Sequence, residues 1–345
     1  MTDGWADVER EVTALARAER FSGSVLVLQG ERALLECGAG AADRASGTPV
    51  TPRTRFALAS LSKMFTAAAV LACVRDGLLA PGDRVVDLVP AERRPRTMVE
   101  EVTVHHLLTH TSGIGDYAEE DEDVDSYVED YGSLWADRPS YRMERPLDFL
   151  PMYTDVPPVM APGTRFHYSN AGYVLLGQVL EEVTGQPVTD AITDRAMAPA
   201  GMADSGFLRV DEALPDVAVG YLPREPGGPW RTNVFSTPVV GGGDGGAHAT
   251  PRDIDRFLRA VASGRLLGAE VSALMQTRHV PVTEGFWMGY GLFLRDDGSI
   301  GHGGGDPGVE TMARHWPDRD LTFVVLCNQE DALGPVWDLL RTAAA

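Results

Sequence analysis

The sequence predicts an α+β fold in which a sheet domain, built from the two ends of the chain, holds an inserted helical domain. Short β-prone segments occur near both ends, within residues 21–37 and 290–327, whereas the long apolar helical patterns lie between them. Of the 345 residues, 44% are hydrophobic, which is enough to bury a sizeable core. We place the sheet domain at residues 1–58 and 205–345 and the mostly helical domain at residues 59–204.

The N-terminal elements are predicted to be a helix followed by a hairpin. Residues 5–20 carry apolar side chains at helical spacing, which predicts an amphipathic helix. Two short β-prone runs follow at 21–28 and 32–37, and Gln29-Gly30-Glu31 between them has the composition of a turn.

The rest of the chain predicts helices first and then strands mixed with helices. Gly77 and Gly185 are typical of helix C-termini, and Thr250 before Pro251 is typical of an N-cap. The predicted helices cover residues 60–76, 102–108, 171–184, 254–262 and 335–343, and the predicted strands cover residues 290–294, 299–302 and 321–327.

One internal segment, residues 116–130, is densely acidic and contains no lysine or arginine. Such a run is most often a solvated surface, so we expect a surface excursion here. The stretch that follows contains several prolines, and we expect it to belong to the same surface excursion.

The charge and the cysteines exclude several classes of protein. A net charge of −20 argues against binding nucleic acid or anionic membranes, since both need basic surface. The three cysteines, Cys37, Cys73 and Cys327, are far apart and odd in number, so we expect reduced thiols. Residues 1–20 have no apolar secretory core, and no run approaches the ~20 apolar residues that span a bilayer. We expect a cytoplasmic protein.

The most informative motif is Ser60-Leu61-Ser62-Lys63, an S-x-x-K at the start of a predicted helix. Residues three apart share a helix face, so the Lys63 amine can reach the Ser60 hydroxyl. A serine becomes a good nucleophile when a base takes its proton, and burial favours the neutral form of a lysine. The free backbone N–H groups at the helix start, including that of Ser60, supply half of an oxyanion hole. Taken alone, the tetrapeptide is also compatible with chance on an amphipathic helix.

A second polar group is Tyr168-Ser169-Asn170, on a predicted loop just before the helix at 171–184. A phenol beside a lysine can relay a proton to a leaving group, and an asparagine amide can bind a substrate amide. Ordinary loop polarity is the alternative interpretation.

A third group is the glycine-rich stretch from Gly301 to Gly308, which follows a predicted strand. Glycines allow a ligand to approach the backbone closely, and the Gly305 amide is placed to be the second oxyanion donor. His302 would position the substrate or hold charge near the site. A plain glycine turn is the alternative.

Together these residues resemble the serine β-lactamase and penicillin-binding-protein family, in the branch with Y-x-N and H-x-G in place of S-D-N and K-T-G. That branch includes class C β-lactamases, D-Ala-D-Ala carboxypeptidases, D-aminopeptidases and family VIII esterases. The motifs occur in the family order: Ser60 and Lys63, then Tyr168 and Asn170, then His302 and Gly304. The surrounding segments FALASLSK, VHHLLTHTSGI and PGTRFHYSNAGYVLLG also resemble the family.

The resemblance implies a β-lactamase/transpeptidase-like fold, with an antiparallel sheet flanked by the N- and C-terminal helices and the active site beside an inserted helical domain. It implies that Ser60 is acylated, and that Lys63 and Tyr168 act as a coupled base and acid. It also implies that Asn170, His302 and Gly304 bind substrate, that the Ser60 and Gly305 amides form the oxyanion hole, and that no metal or cofactor is needed. His302 stands where class C β-lactamases carry lysine, which disfavours recognition of a β-lactam carboxylate.

Three functions are therefore open: a serine hydrolase or acyltransferase acting on a small ester or amide, a β-lactamase or D-specific peptidase, and a catalytically silent binding protein on the same fold. The acidic run 116–130 has a second interpretation, in which it selects a cationic or amine-bearing substrate.

Two other patterns carry no function in this interpretation. The histidines of His105-His106-Leu107-Leu108-Thr109-His110 lack the glutamate of H-E-x-x-H, so we expect no zinc site there. The run Gly241–Gly246 is not followed by the G-K-[ST] of a phosphate-binding loop.

Overall fold

An eight-stranded antiparallel sheet organises the molecule, whose computed structural model describes residues 3–225 and 227–344. Its strands are β1 (Gly23–Gln29), β2 (Arg32–Ala39), β9 (Val280–Thr283), β10 (Phe286–Met288), β11 (Phe293–Arg295), β12 (Ile300–Asp306), β13 (Val309–Trp316) and β14 (Leu321–Cys327). Their order in the sheet is β2-β1-β14-β13-β12-β11-β10-β9. Three two-stranded ribbons complete the β structure: β3 (Ala41–Asp43) with β4 (Thr48–Pro49), β5 (Phe56–Ala57) with β8 (His248–Ala249), and β6 (Tyr221–Leu222) with β7 (Arg231–Thr232).

Most of the helical residues between the two sheet-forming segments lie around one buried helix, α2. The helices are α1 (Asp3–Arg17), α2 (Lys63–Arg75), α3 (Val85–Leu88), α4 (Val104–Leu108), α5 (Pro146–Tyr153), α6 (Asn170–Thr184), α7 (Val188–Ile192), α8 (Ala198–Ala200), α9 (Pro251–Ala262), α10 (Ala269–Met275) and α11 (Leu333–Ala344). Every residue from Met64 to Cys73 is buried, which explains why α2 is apolar on all sides. No described helix is long and apolar enough to cross a bilayer.

The central strands are buried on both faces, because side chains alternate between two cores. Val25 and Val27 of β1 face the terminal helices, where they share a core with Val12 of α1 and Leu340 of α11. Leu26 and Leu28 face the opposite side and join the large core around α2. The sheet is therefore covered by α1 and α11 on one face and by α9 together with the large core around α2 on the other.

This architecture confirms the predicted α+β fold, including the terminal helices and the first hairpin. Gly185 ends α6 with a left-handed φ of 69°, and Thr250 caps α9 by accepting a hydrogen bond from the Asp253 N–H. The domain boundaries at residues 58/59 and 204/205 stay a prediction.

The structure corrects several of the predicted elements. The predicted helix at Ser60 begins with a 3₁₀ turn (Ala59–Ser62), and α2 proper begins at Lys63. The predicted strand 290–294 is a loop up to Leu292 and becomes β11 from Phe293. β9, β10 and β13 were not predicted.

Candidate active site

The Ser60 turn is held between the sheet and the Gly241–Gly246 loop. The Leu61 N–H donates to the Leu58 carbonyl at 3.1 Å, and the Thr311 hydroxyl of β13 donates to the same carbonyl at 2.9 Å. Ala59 has a left-handed φ of 48°, a conformation that non-glycine residues seldom adopt. The backbone at the proposed nucleophile is thus a tight, strained bend fixed from both sides.

Lys63 is completely buried directly below Ser60. Its Nζ lies 2.9 Å from Ser60 Oγ, 2.7 Å from Asn170 Oδ1 and 2.5 Å from the Asp244 carbonyl oxygen. Burial lowers the pKa of Lys63 from its ordinary value, and it outweighs the opposing effect of nearby carboxylates, of which Asp244 is the strongest. Lys63 is also the only lysine in a chain that carries 30 lysines and arginines in total.

Tyr168 and Asn170 close the opposite wall of the site. The Tyr168 ring centroid lies 5.0 Å from Lys63 Nζ, and the Ser60 side chain is near enough to the phenol to lower the pKa of Tyr168, against the larger effect of burial. Burial raises the pKa of Tyr168 well above its ordinary value, so the phenol keeps its proton at neutral pH. The Asn170 side chain accepts from Lys63 through Oδ1 and donates to Glu120 Oε1 at 3.2 Å through Nδ2.

The end of β12 brings the Gly305 amide to the site. Asp306 and Val309 pair across a two-residue turn, so they exchange backbone hydrogen bonds. Hydrogen-bonded pairs alternate along antiparallel strands, so the next pair, Gly305 and Glu310, exchanges none. The Gly305 N–H therefore points away from β13. Gly305 lines the same cavity as Ser60.

His302 and Gly304 lie behind this wall and are not among the residues that line the cavity. His302 is buried, and burial lowers its pKa to about 3, so the imidazole is neutral and does not hold charge as expected from the sequence. Its Nδ1 donates to the Gly303 carbonyl oxygen, which can only accept. A β-carbon at Gly304 would overlap the Leu58 carbonyl oxygen, so this glycine allows β12 to approach the Ser60 turn.

The first part of the acidic segment is part of the site, which corrects the predicted surface excursion. Asp116 is buried, and its carboxylate accepts from the Asn170 N–H and, at 3.1 Å, from the Ala171 N–H at the start of α6. Burial raises its pKa to about 6. Glu119 is also buried and lies 3.0 Å from His167 Nε2, whereas most residues from 120 to 130 remain partly or fully exposed.

The Gly241–Gly246 loop supports the base of the site. The Thr66 hydroxyl donates to the Gly243 carbonyl at 2.7 Å, and a β-carbon at Gly245 would lie 3.3 Å from the Ala59 carbonyl oxygen. The Asp244 side chain accepts a hydrogen bond from the Tyr117 hydroxyl. The run of glycines in the sequence indicated that another segment approaches this loop closely, but it did not show that this segment is the Ser60 turn.

A cavity of about 860 Å³ opens onto Ser60. Its lining carries six acidic residues and one arginine: Asp43, Glu120, Glu212, Asp216, Asp244, Asp306 and Arg209. Arg209 is itself paired with Glu144 and Asp211. The carboxyl group of Asp306 has its pKa raised to about 7, chiefly by burial and also by Asp244 and Glu120. The space is sufficient for a small organic substrate and its charge is strongly negative.

The fold and this constellation agree with the comparison with known families. The β-lactamase family profile matches residues 8–345. The chain belongs to the β-lactamase family. As a serine hydrolase of this family it is similar to a penicillin-binding protein from Bacillus halodurans of known structure, with a TM-score of 0.87 and 33% identity over 96% of this chain and 99% of that one.

Among curated members of the β-lactamase family, this chain is 28% identical to penicillin-binding protein 4 of Amycolatopsis lactamdurans, over 95% of this chain and 86% of that protein. It is 37% identical to esterase EstB of Burkholderia gladioli over 56% of this chain and 49% of EstB. It is 28% identical to a D-aminopeptidase of Gluconobacter oxydans over 96% of this chain and 61% of that protein. These relatives differ in activity, so the family alone leaves the substrate open.

Proposed function

We propose that the protein is a serine hydrolase or acyltransferase that forms an acyl-enzyme at Ser60 from a small ester or amide. The observation that carries the proposal is the 2.9 Å contact between Ser60 Oγ and the buried Lys63 amine at a cavity of about 860 Å³. A nucleophile and a base within hydrogen-bond reach, next to space for a substrate, are what covalent catalysis requires.

The hydrogen bonds of Lys63 fit the neutral amine. A neutral amine has two N–H donors and one lone pair. Asn170 Oδ1 and the Asp244 carbonyl oxygen can only accept, so they take the two donors and leave the lone pair for the Ser60 hydroxyl. The lowered pKa of Lys63 is consistent with this protonation state.

In the proposed acylation, the Ser60 Oγ–H proton passes to Lys63 Nζ as the bond from Oγ to the carbonyl carbon forms. The Ser60 and Gly305 N–H groups stabilise the resulting oxyanion. The leaving group then departs with the Tyr168 hydroxyl proton, and the Lys63 ammonium returns its proton to the Tyr168 oxygen. The opposite pKa shifts of Lys63 and Tyr168 support these base and acid roles. Water or another nucleophile then takes the acyl group by the reverse sequence.

The charge of the cavity favours a substrate that carries an amine. Glu120, Asp244 and Asp306 line the cavity that holds Ser60, and a cation bound there would relieve their mutual repulsion. The sequence offered substrate selection by the acidic run 116–130 as an alternative, and we assign that role to one residue of the run, Glu120, because it lines the cavity. The similarity to a D-aminopeptidase supports such a substrate.

The principal test is labelling with a fluorophosphonate followed by intact-protein mass spectrometry. We expect one adduct on the unmodified protein and none on Ser60→Ala. Ser263→Ala, an exposed serine at the end of α9, is the control and should label normally. No adduct on the unmodified protein, or an adduct that survives Ser60→Ala, would contradict the proposal.

A β-lactamase or D-specific peptidase is the second candidate, favoured by the penicillin-binding protein and D-aminopeptidase relatives. The neutral, buried His302 offers no cation for a β-lactam carboxylate, which disfavours β-lactamase activity. Nitrocefin turnover and release of D-alanine from D-Ala-D-Ala peptides separate this candidate from the first, and background rates for both would exclude it. A catalytically silent protein is the third possibility, and it would gain support if Lys63→Ala changed no measurable activity. The expected cytoplasmic location stays a prediction.

A further inference from the structure

His110 is an unusual residue of the turn that follows α4. Its side chain is 1% exposed, and its backbone has a left-handed φ of 54°. Histidine tolerates this conformation better than most residues, but the conformation still costs energy relative to extended or helical backbone.

The polar groups of His110 bind the chain on both sides of Tyr168. The His110 carbonyl oxygen accepts from the His167 N–H at 2.7 Å, and its Nδ1 accepts from the Ser169 N–H at 3.1 Å. The backbone N–H groups of the two residues on either side of Tyr168 are therefore both bound to one residue of a different segment.

The imidazole ring also fixes the Tyr168 ring itself. It stacks on Tyr168 with centroids 4.4 Å apart and an interplanar angle of 27°, and on its other face it stacks on Tyr173 at 4.8 Å and 27°. The Tyr173 hydroxyl donates to the Leu108 carbonyl at 3.1 Å, which ties the outer ring of the stack to α4. The Tyr168 ring is thus the end of a three-layer stack that is anchored at its far side.

The protonation state of His110 matches this arrangement. Because Nδ1 accepts from an N–H group, it carries no proton, and Nε2 carries the only one. Burial holds the pKa of His110 well below its ordinary value, so the ring stays neutral. Within the described residues, Nε2 has no hydrogen-bond partner, so this position carries a polar cost as well as a strained backbone.

We propose that His110 is a positioning residue that sets the place of the Tyr168 hydroxyl relative to Ser60 through the two backbone hydrogen bonds and the ring stack. The proposal rests on the proposed role of Tyr168 as the acid. His110 does not touch the reacting atoms, and its effect is transmitted through the Tyr168 ring and the backbone N–H groups of His167 and Ser169. The competing interpretation is a core histidine whose loss lowers stability only.

Two variants separate the two kinds of contact. His110→Phe keeps a flat ring for stacking but removes the acceptor for the Ser169 N–H. His110→Asn keeps an acceptor near the position of Nδ1 and a residue type that tolerates a left-handed φ, but it removes the ring. His106→Asn is the matched control, because His106 Nδ1 also accepts a backbone N–H, from Thr103 at 3.2 Å, at the other end of α4.

The experiment measures kcat and KM with p-nitrophenyl acetate and the thermal midpoint of each variant. We expect His110→Phe to lower kcat by roughly 10- to 100-fold with little change in KM, since a small displacement of a catalytic group has this effect. His110→Asn should lower kcat less, and His106→Asn should leave it within about twofold. In a Tyr168→Phe background, where the hydroxyl is already absent, His110→Phe should cause less than about a twofold further loss.

Three outcomes would overturn the positioning role. The first is an unchanged kcat in both His110 variants, and the second is an equal loss with and without the Tyr168 hydroxyl. The third is a loss in His106→Asn as large as in His110→Phe. If His110→Phe does not fold, the same comparison is made with His110→Asn. Fluorophosphonate labelling of Ser60 in each variant reports separately on the proposed function, because the label needs Ser60 and Lys63 in place but not a correctly placed Tyr168 proton.

Discussion

The two walls of the active site are built in different ways. The wall with Ser60 and Lys63 belongs to a 3₁₀ turn and a helix whose residues from Met64 to Cys73 are all buried in the core. The wall with Tyr168 and Asn170 is a loop that runs into the first residue of α6, and side chains from another segment, Asp116 and His110, hold its backbone N–H groups. One wall is thus fixed by packing and backbone geometry, and the other by a few polar side chains.

This difference determines how each wall responds to substitution. A packed helix distributes its stabilisation over many contacts, so a polar change there affects chemistry without moving the helix. A loop held by individual side-chain hydrogen bonds loses its geometry when one of them is removed.

The largest effect should come from Lys63→Met, which removes the base and keeps the length of the side chain. General base catalysis contributes about 10²- to 10⁴-fold, so we expect kcat/KM for p-nitrophenyl acetate to fall by about 10³-fold. Because α2 is packed on all sides, circular dichroism should show an unchanged fold. Retention of more than a tenth of the activity would contradict the base assignment.

The Tyr168 wall should lose activity through a substitution that touches neither Ser60 nor substrate. In Asp116→Asn, an NH₂ group replaces one carboxylate oxygen and cannot accept the Asn170 N–H, so the loop should shift. We expect activity to fall by roughly 10- to 100-fold. Asp130→Asn is the control: the Asp130 Oδ1 accepts the Gly132 N–H at 2.9 Å on the exposed part of the acidic segment, an asparagine keeps an oxygen that can accept it, and the removal of the charge should have no measurable effect. Equal effects of the two variants would refute the contrast between the walls.

The pH dependence of stability should differ between the unmodified protein and Asp116→Asn. Its pKa is raised to about 6 in the folded protein, against about 3.9 in an unfolded chain, so its contribution to stability is fully present below pH ~4 and is lost as the pH rises through about 6. Relative to Asp116→Asn, the unmodified protein should therefore lose of the order of 2 kcal/mol of unfolding free energy between pH 4 and 7. Urea titrations of both proteins at the two pH values measure this difference. A parallel pH dependence would show that Asp116 ionises as freely as an exposed aspartate.

The pH dependence of activity reports on the Ser60 wall. Since burial lowers the pKa of Lys63, the neutral amine should become available below the ordinary value of about 10.4, and activity should rise with pH through that ionisation. Activity should accordingly fall at acid pH, as the Lys63 and Tyr168 couple becomes fully protonated. A flat kcat/KM profile from pH 5 to 9 would be inconsistent with a titrating base.

The smallest effect should be a change in substrate preference. Glu120→Gln removes one negative charge from the cavity and keeps an acceptor for Asn170 Nδ2. We expect the preference for D-alanine p-nitroanilide over its N-acetyl derivative to fall about fivefold, or ~1 kcal/mol. Glu122→Gln, on an exposed residue outside the cavity, should not change the ratio. An unchanged ratio in Glu120→Gln would exclude the amine-binding role.

The sequence predicted the elements whose signals are local. Helix α6 has an apolar pattern and a terminal glycine, and β14 is a continuous apolar run, so both were predicted with nearly correct bounds. β13 was missed because polar Thr311, Arg314 and His315 are among its buried positions, which hides the strand period.

The residues of the site that could be predicted also carry local sequence signals. Ser60, Lys63, Tyr168 and Asn170 belong to short motifs with fixed spacing, and the structure brings them together. Asp116, Asp244 and His110 act through hydrogen bonds to residues more than 50 positions away, so no local pattern marks them. The left-handed φ of Ala59 likewise has no local signal, since it depends on the close approach of the sheet and the glycine loop.

The presence of a single lysine in the chain has a practical consequence. Protein labelled with ¹³C and ¹⁵N only at lysine would give one side-chain amine signal in an NMR spectrum, and that signal would come from the buried amine beneath Ser60. Its chemical shift over a pH series would give the ionisation of the proposed base directly, in the unmodified protein. The same signal, followed after addition of a substrate, would record the protonation state of Lys63 in the acyl-enzyme.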